Sequence, residues 1–284
     1  MTSTDLPEAT STSITTRGEE PGGSMTFFEH LTELRKRIIN SLISIVIGSF
    51  IGFYLSGYFV EYITKPMAKA LSDAHLDPKL IYTHPAGFLN LLLTLGIYLG
   101  IVLASPYVLY QIWLFVAPAL YKHERSAVTG FLFSTVFLFL LGIAFGYFVA
   151  MPRVLHFLVS FQGMSIPFLH GIDPGTVVPM ISINEYFDLT LMLLMGLGLV
   201  FEMPVLVFFL SLFGIVTPKF LIRNFRYAIL VISVIAAIVT PTPDATTMLI
   251  FMAPMVGLYF LSVGVSYVVV RRRERRLNQP AEAQ

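Results

Sequence analysis

The chain contains no cysteine among its 284 residues, which excludes disulfide bonds, thiolate metal sites and cysteine nucleophiles. Charged residues are also scarce, at 12% of the sequence, whereas soluble domains carry about 25%. Hydrophobic residues reach 56%, and the mean hydropathy is +0.78. A domain of about 300 residues still leaves about a quarter of its surface in water. This apolar surplus therefore excludes a soluble protein and predicts a membrane protein.

Six long apolar runs predict the architecture. A membrane span needs about 20 apolar residues to cross a hydrocarbon core of about 30 Å. The runs are Ile38–Leu55, Phe88–Ala117, Ala127–Val149, Leu189–Ile215, Tyr227–Val239 and Met248–Val270. They are continuous rather than alternating, which indicates helices and not a β-barrel. We therefore expect an all-α integral membrane protein with six transmembrane helices.

The fifth run, Tyr227–Val239, is shorter than a normal span. At helical rise it is only about 20 Å long, so by itself it could be a buried or re-entrant segment. The turn Thr240–Asp244 and another long run follow it. The last two helices are therefore predicted to form a short hairpin, which must thin the bilayer locally or end below its outer surface.

The distribution of basic residues predicts the orientation. An even number of spans places both termini on one side, and the segments on that side hold 14 of the 18 Lys and Arg residues. Because cytoplasmic loops are the positive ones, both termini are predicted to be cytoplasmic. Residues 1–24 are rich in Ser and Thr and predict a disordered tail rather than a signal peptide. Residues 25–270 form the membrane domain, and 271–284 form a basic tail.

Acidic residues precede the first span and follow the second. Glu33 and Arg37 are four residues apart on one face of a predicted helix. One interpretation is an interfacial helix with a surface ion pair, and the other is a carboxylate displayed at the cytoplasmic rim to receive a cation. Glu124 lies in the short inner loop that follows Pro118. Alone, Glu124 is a weak signal.

Glu202 is the only Asp, Glu, Lys, Arg or His in the six apolar runs. It lies near the middle of its run, where an acidic residue costs about 2.5–3.5 kcal/mol and faces protein or water. Pro204 removes a backbone hydrogen bond nearby and opens the helix. Gly196 and Gly198 are expected to let neighbouring helices approach closely. Glu202 is therefore either a carboxyl hydrogen-bonded to another helix or a functional polar site.

No catalytic or cofactor motif is visible in the sequence. Nucleotide-binding glycine patterns, phosphate loops and Ser-His-Asp sets are absent, and His123-Glu124 lacks the second histidine of a zinc protease. We therefore expect no enzyme activity, no metal, no cofactor and no nucleic-acid partner. An ion-coupled small-molecule transporter would also keep a midplane carboxylate such as Glu202, but it should show internal repeats, which are not found. A membrane scaffold would need no such acid.

Three stretches resemble the TatC family, the receptor subunit of the twin-arginine protein translocase. The stretches are His30–Arg37, Ser105–Arg125 and Phe201–Pro204, and the turn Thr240–Asp244 is similar too. The likeness covers about residues 25–270, and the long stretch 105–125 is the most specific part of it. The family is therefore the expected identity of this chain.

The resemblance implies a multi-pass protein of the bacterial cytoplasmic (inner) membrane. It implies binding of Arg-Arg signal peptides of folded proteins, with TatA-like and TatB-like single-span partners, export driven by the proton-motive force, contact with membrane lipids, and a homo-oligomer within the complex. By position, Glu33, Glu124 and Arg35 match the signal-peptide site, and Glu202 matches the family's intramembrane acid. Pro66, Pro118, Pro204 and Asp244 match further motif or structural positions.

Overall fold

The structure, a computed structural model, describes residues 27–116, 125–161, 180–240 and 244–277. These residues form nine α-helices and one π-helical turn, Gly146–Ala150, which joins α3 to α4. The helices are α1 (Phe27–Asp73), α2 (Gly87–Val116), α3 (Arg125–Phe145), α4 (Met151–Phe161), α5 (Ile183–Phe201), α6 (Met203–Leu212), α7 (Pro218–Arg223), α8 (Phe225–Val239) and α9 (Ala245–Leu277). The predicted all-helical class is confirmed over these residues.

Five helical segments in the described ranges are long and apolar enough to cross a membrane. They are Phe28–Asp73, Gly87–Phe115, Leu132–Ser160, Ile183–Leu212 and Ala245–Arg271. The remaining predicted span corresponds to α8, which has 15 residues. At helical rise α8 is about 22 Å long, less than the hydrocarbon core of a typical bilayer. The structure thus shows five candidate spans and one shorter apolar helix.

Two helices extend well beyond the predicted spans. The run Ile38–Leu55 lies inside the single 47-residue helix α1, which is about 70 Å long. After the apolar run, α1 continues because Ile63, Met67 and Leu71 recur on one face and are buried. At the other end of the chain, α9 continues to Leu277, past the predicted end of the membrane domain at residue 270.

Glycines bring the backbones of α1 and α2 together. A Cβ atom on Gly48 would lie 2.6 Å from the Gly100 carbonyl oxygen, and one on Gly96 would lie 2.8 Å from the Cα of Phe53. Gly52 faces the Gly96 carbonyl just as closely. Real Cβ atoms essentially never come within 3.0 Å of another heavy atom, so only glycine fits at these positions.

The second half of the chain is held together around α9. The hydroxyls of Ser211 on α6 and Ser266 on α9 are buried and hydrogen-bonded at 2.8 Å. The hydroxyl of Tyr259 on α9 donates to the Leu221 carbonyl of α7 at 2.8 Å. The predicted pairing of the last two helices is also present, since α8 packs against α9. Residues 241–243 of the turn between them lie outside the described residues.

A short backbone link closes the end of the bundle where α1 finishes and α2 begins. The Ile81 N–H donates to the Ile181 carbonyl, and the Ile183 N–H donates to the Ile81 carbonyl, both at 3.0 Å. In the same connection the Lys79 ammonium donates to the Asp77 carboxylate at 2.9 Å. This hydrogen bond and the Asp77 charge raise the pKa of Lys79 above its usual value. The link fixes the connection between α1 and α2 against the start of α5.

Candidate functional site

Glu33 lies near the start of α1, where this helix packs against the end of α2. One of its carboxylate oxygens, Oε1, accepts a hydrogen bond of 2.9 Å from Nη2 of Arg37, one turn further along α1. The Nη1 atom of Arg37 donates to the side-chain oxygen of Gln111 on α2 at 3.2 Å. Gln111 is buried, with 3% of its surface exposed. The predicted Glu33–Arg37 pair is thus real, and it connects two helices rather than decorating the surface.

This network has unused hydrogen-bonding capacity. The second carboxylate oxygen of Glu33, Oε2, is buried and has no hydrogen-bond partner among the described residues. The Nε atom of Arg37 is likewise buried and has no hydrogen-bond partner among the described residues. A buried charged group that lacks a partner normally costs free energy, and such groups are common at functional sites. The site therefore offers one further acceptor and one further donor.

A second contact near Glu33 also joins the start of α1 to the end of α2. The ring of His30 stacks on Phe115 of α2, with ring centroids 4.4 Å apart. Glu29 and Arg35 are both exposed on α1. The other predicted site residues of this region, Glu124 and Pro118, fall in 117–124, outside the described residues. The expected role of Glu124 beside Glu33 in the signal-peptide site thus stays a prediction.

Glu202 interrupts the helix that contains it. The residue ends α5 and begins α6, with an N–H that donates to the Leu199 carbonyl at 3.1 Å instead of continuing the α-helical ladder. Pro204 follows within the first turn of α6, where its missing N–H costs nothing. Both carboxylate oxygens of Glu202 are buried and have no hydrogen-bond partner among the described residues. The interpretation of Glu202 as a carboxyl satisfied by a neighbouring helix finds no such bond here.

Close packing surrounds this break on one side. A Cβ on Gly198 would lie 2.9 Å from the ring of Phe139 on α3, and one on Gly142 would lie 2.9 Å from the Cα of Gly198. The predicted role of Gly198 in close helix approach is confirmed. The same prediction for Gly196 is wrong, because a Cβ there would find its nearest neighbours at 3.9 Å, on Val239.

Two motif residues have structural partners. The Asp244 carboxylate accepts a hydrogen bond of 2.7 Å from the Thr247 N–H, so it caps the first turn of α9. Pro66 lies inside α1 and has no N–H for the carbonyl of Tyr62 four residues earlier. The hydroxyl of Tyr147 donates to that carbonyl at 2.8 Å. These geometries indicate structural roles for Asp244 and Pro66.

Some contributing residues were missed at the sequence level. The spacing of Gly48 and Gly52, and of Gly96 and Gly100, is the G-x-x-x-G pattern that indicates close helix packing, and it was visible in the sequence. Gln111 was visible as a polar residue in an apolar run, but nothing in the sequence identified its partner, Arg37. Among the residues that the structure describes, no group of three His, Cys, Asp or Glu side chains could hold a metal ion.

Comparison with known proteins identifies the family. Residues 29–254 match the family model "Sec-independent protein translocase protein (TatC)". The TatC protein of Koribacter versatilis is 46% identical over 260 residues, which cover 92% of each chain. The TatC protein of Aquifex aeolicus is 34% identical over 250 residues, which cover 88% of this chain and 98% of that one.

Solved structures agree with the sequence relatives. A crystal structure of the twin-arginine translocase receptor TatC superposes with a TM-score of 0.69 at 34% identity, covering 86% of this chain and 100% of that one. The same receptor crystallised in DDM gives a TM-score of 0.70. These relatives are named as components of a protein translocase, which does not favour the small-molecule transporter. From the match over most of its length, this chain belongs to the TatC family of Sec-independent protein translocase proteins.

Proposed function

We propose that this chain is the receptor subunit of a twin-arginine translocase. In this function it binds the Arg-Arg signal peptides of folded proteins at the cytoplasmic face of the bacterial inner membrane. Family membership carries the proposal. The half-satisfied carboxylate of Glu33, at the end of the α1–α2 pair, supports it because a guanidinium group is the ligand that such an acceptor lacks.

The recognition site in this proposal comprises Glu33, Glu124 and Arg35. A guanidinium is planar and can make two parallel hydrogen bonds with one carboxylate, whereas an ammonium group is a point charge. Two carboxylates could therefore take one arginine each. Arg35 is exposed on α1 two residues after Glu33, on another face of the helix, where it could contact the peptide backbone or a partner subunit.

The proposed orientation places the Glu33 end of the bundle in the cytoplasm. The segments assigned to the inner side hold 14 of the 18 basic residues, and in this orientation α8 would serve as a short sixth span. Because the chain has no cysteine, single cysteines can report the orientation. Cysteine at Ser24 or Asn278 is expected to be shielded from an impermeant thiol reagent in intact cells, and cysteine at Ser72 is expected to react. The reverse pattern would contradict the orientation.

The proposed partners act within the membrane. TatA-like and TatB-like single-span subunits, and further copies of this chain, would assemble with the receptor, and the proton-motive force would drive transport. Glu202 is the proposed polar anchor for a partner helix or for the inserted signal peptide. Its two buried carboxylate oxygens without a described partner support this role, because a midplane acid needs a polar contact.

Peptide binding tests the receptor function directly. The purified full-length chain in lipid nanodiscs is titrated with a fluorescent signal peptide that carries Arg-Arg or Lys-Lys. We expect Glu33→Gln or Glu124→Gln to weaken Arg-Arg binding at least about tenfold, because hydrogen bonds to charged groups contribute about 1.5–3 kcal/mol each. Glu29→Gln, which removes the same charge one turn earlier on α1, is the matched control and should change little. Unchanged affinity in the Glu33→Gln, Glu124→Gln double variant would refute the proposed site.

A further inference from the structure

The Glu33 carboxylate already holds a guanidinium group from its own chain. Arg37 donates to Oε1 at 2.9 Å, and the two side chains are only 22% (Arg37) and 16% (Glu33) exposed. An arginine that arrives from a signal peptide would thus meet a carboxylate with one of its two oxygens, Oε1, already occupied. How firmly Arg37 holds Glu33 must therefore influence how tightly any peptide binds.

The pair of Arg37 and Glu33 makes only one of the two hydrogen bonds that a guanidinium and a carboxylate can form. A guanidinium and a carboxylate pair best through two parallel hydrogen bonds, and here one bond is made. Arg37 has turned its other terminal nitrogen toward Gln111, which is buried on α2 and accepts a bond of 3.2 Å. The remaining groups of the pair, Glu33 Oε2 and Arg37 Nε, have no partner among the described residues. With Nη1 engaged by Gln111, Arg37 makes a single bond to Glu33, and the second bond that Nε could make to Oε2 is not formed.

We infer that Arg37 is an internal counter-ion that an arginine of the signal peptide displaces from Glu33, and that Gln111 holds Arg37 ready for the exchange. This inference rests on the proposed receptor function. The incoming guanidinium can bond both oxygens of Glu33 and so replaces one hydrogen bond with two. Arg37 keeps its bond to Gln111 after it is displaced, so its charge is not left without a partner.

The exchange lowers the affinity of the receptor for both peptides but does not change its preference for Arg-Arg over Lys-Lys. Apparent affinity equals intrinsic affinity multiplied by the fraction of receptor in the open state. In this exchange both peptides displace the same Arg37, so the internal pair weakens Arg-Arg and Lys-Lys binding by the same factor. A bare Glu33 would bind both peptides more tightly and would release its cargo more slowly.

Variants of Arg37 test this inference in the nanodisc titration. Arg37→Gln, which retains a polar partner for Gln111, is expected to tighten Arg-Arg and Lys-Lys binding in parallel by about tenfold. Lys36→Gln is the matched control, since it removes the same charge from the adjacent, exposed residue, and it should change affinity less than about twofold. Arg37→Lys keeps the charge but cannot contact Glu33 and Gln111 in the same geometry, so an intermediate gain is expected.

A change at Gln111 is expected to have the opposite sign. Gln111→Met preserves the length of the side chain and removes the acceptor, which leaves Arg37 free to form the second bond to Glu33. Peptide affinity should then fall about threefold to tenfold. Thermal unfolding of each variant identifies any that fail to fold, and Arg37→Lys carries the test if Arg37→Gln is one of them.

The outcomes separate this inference from the proposed function. If the wild-type chain binds neither peptide, the receptor function itself is refuted. If the wild type binds the Arg-Arg peptide but Arg37→Gln and Arg37→Lys weaken binding or leave it unchanged, Arg37 orients Glu33 and the inference is wrong. An equal gain from Lys36→Gln would also overturn it, because general charge repulsion would then account for the effect.

Discussion

Helix α1 contains a proline, Pro66, and the hydroxyl of Tyr147 replaces the backbone hydrogen bond that this proline removes. Pro66 deprives the Tyr62 carbonyl of its usual N–H partner, and the Tyr147 hydroxyl donates to that carbonyl at 2.8 Å. One residue further on, the buried Tyr186 of α5 donates to the Ile63 carbonyl. We predict that the hydrogen bond from the Tyr147 hydroxyl stabilises the protein, and that this stabilisation depends on the N–H that Pro66 lacks.

The size of the effect follows from the environment of each bond. Interhelical hydrogen bonds in membrane proteins contribute about 0.6 kcal/mol on average and at most about 1.7 kcal/mol. Tyr147→Phe removes only the hydroxyl, and we expect it to lower the free energy of unfolding by about 1 kcal/mol. Tyr186→Phe removes a donor from a buried carbonyl, so its cost should lie near the upper end of this range, at about 1–1.7 kcal/mol.

A double-variant cycle isolates the dependence on proline. Pro66→Ala restores the N–H that an α-helix would supply to the Tyr62 carbonyl. In that background Tyr147→Phe should cost much less, which corresponds to a coupling of about 0.5–1 kcal/mol. Tyr186 provides the matched control, because the residue four positions after its acceptor, Ile63, is Met67, which has an N–H, and not a proline. The cost of Tyr186→Phe should therefore depend little on Pro66→Ala.

The measurement is reversible unfolding in mixed detergent micelles, followed by circular dichroism. Fluorescence of the single tryptophan, Trp113, gives a second probe, because it is buried in α2 with 9% exposed. An equal cost of Tyr147→Phe in the wild-type chain and in the Pro66→Ala variant would show that the hydroxyl does not compensate for the proline. The reasoning about α1 would then be refuted.

Three further predictions concern other parts of the molecule. Glu202→Gln should retain more export of a folded reporter than Glu202→Ala, because an amide can still donate and accept hydrogen bonds; full export by Glu202→Ala would leave no functional role for the acid. Asp244→Ala removes the cap of α9 and should lower the unfolding free energy by about 1 kcal/mol, measured in micelles, with a smaller loss for Asp244→Asn. Gly52→Leu should cost about 1–3 kcal/mol against the backbone of Gly96, whereas Gly57→Leu should be tolerated, because no described residue beyond its own stretch of backbone lies within 4 Å of its Cβ position.

The apolar runs predicted where the main helices lie but not how far they extend. Hydropathy reports the part of a helix that suits lipid, so Ile38–Leu55 was found and the continuation of α1 to Asp73 was not. The continuation carries charged residues such as Glu61 and Lys65 on its exposed side. Its core face is buried against other helices, and a run of apolar residues cannot reveal such tertiary packing.

The glycine contacts show a different limit. A G-x-x-x-G spacing indicates that a helix can be approached closely, but the sequence does not say which helix will approach it. The pattern in α1 and the pattern in α2 face each other, and this pairing is a property of the assembled bundle. Gly196 illustrates the converse, since it lies near Glu202 in the sequence and yet a Cβ there would be 3.9 Å from its nearest described neighbour, Val239.

The two interpretations of Glu33 in the sequence are compatible in the structure. The spacing of Glu33 and Arg37 correctly indicated an ion pair, and the same carboxylate was independently a candidate receptor for arginine. A complete two-bond fork with Arg37 would have satisfied Glu33 and opposed ligand binding. In the structure, Nη1 of Arg37 is directed to Gln111, 74 residues away in the chain, and Nε and Oε2 do not pair, so the fork stays incomplete. The property that would let Glu33 serve as a receptor therefore arises from a contact between α1 and α2 that no local pattern could have predicted.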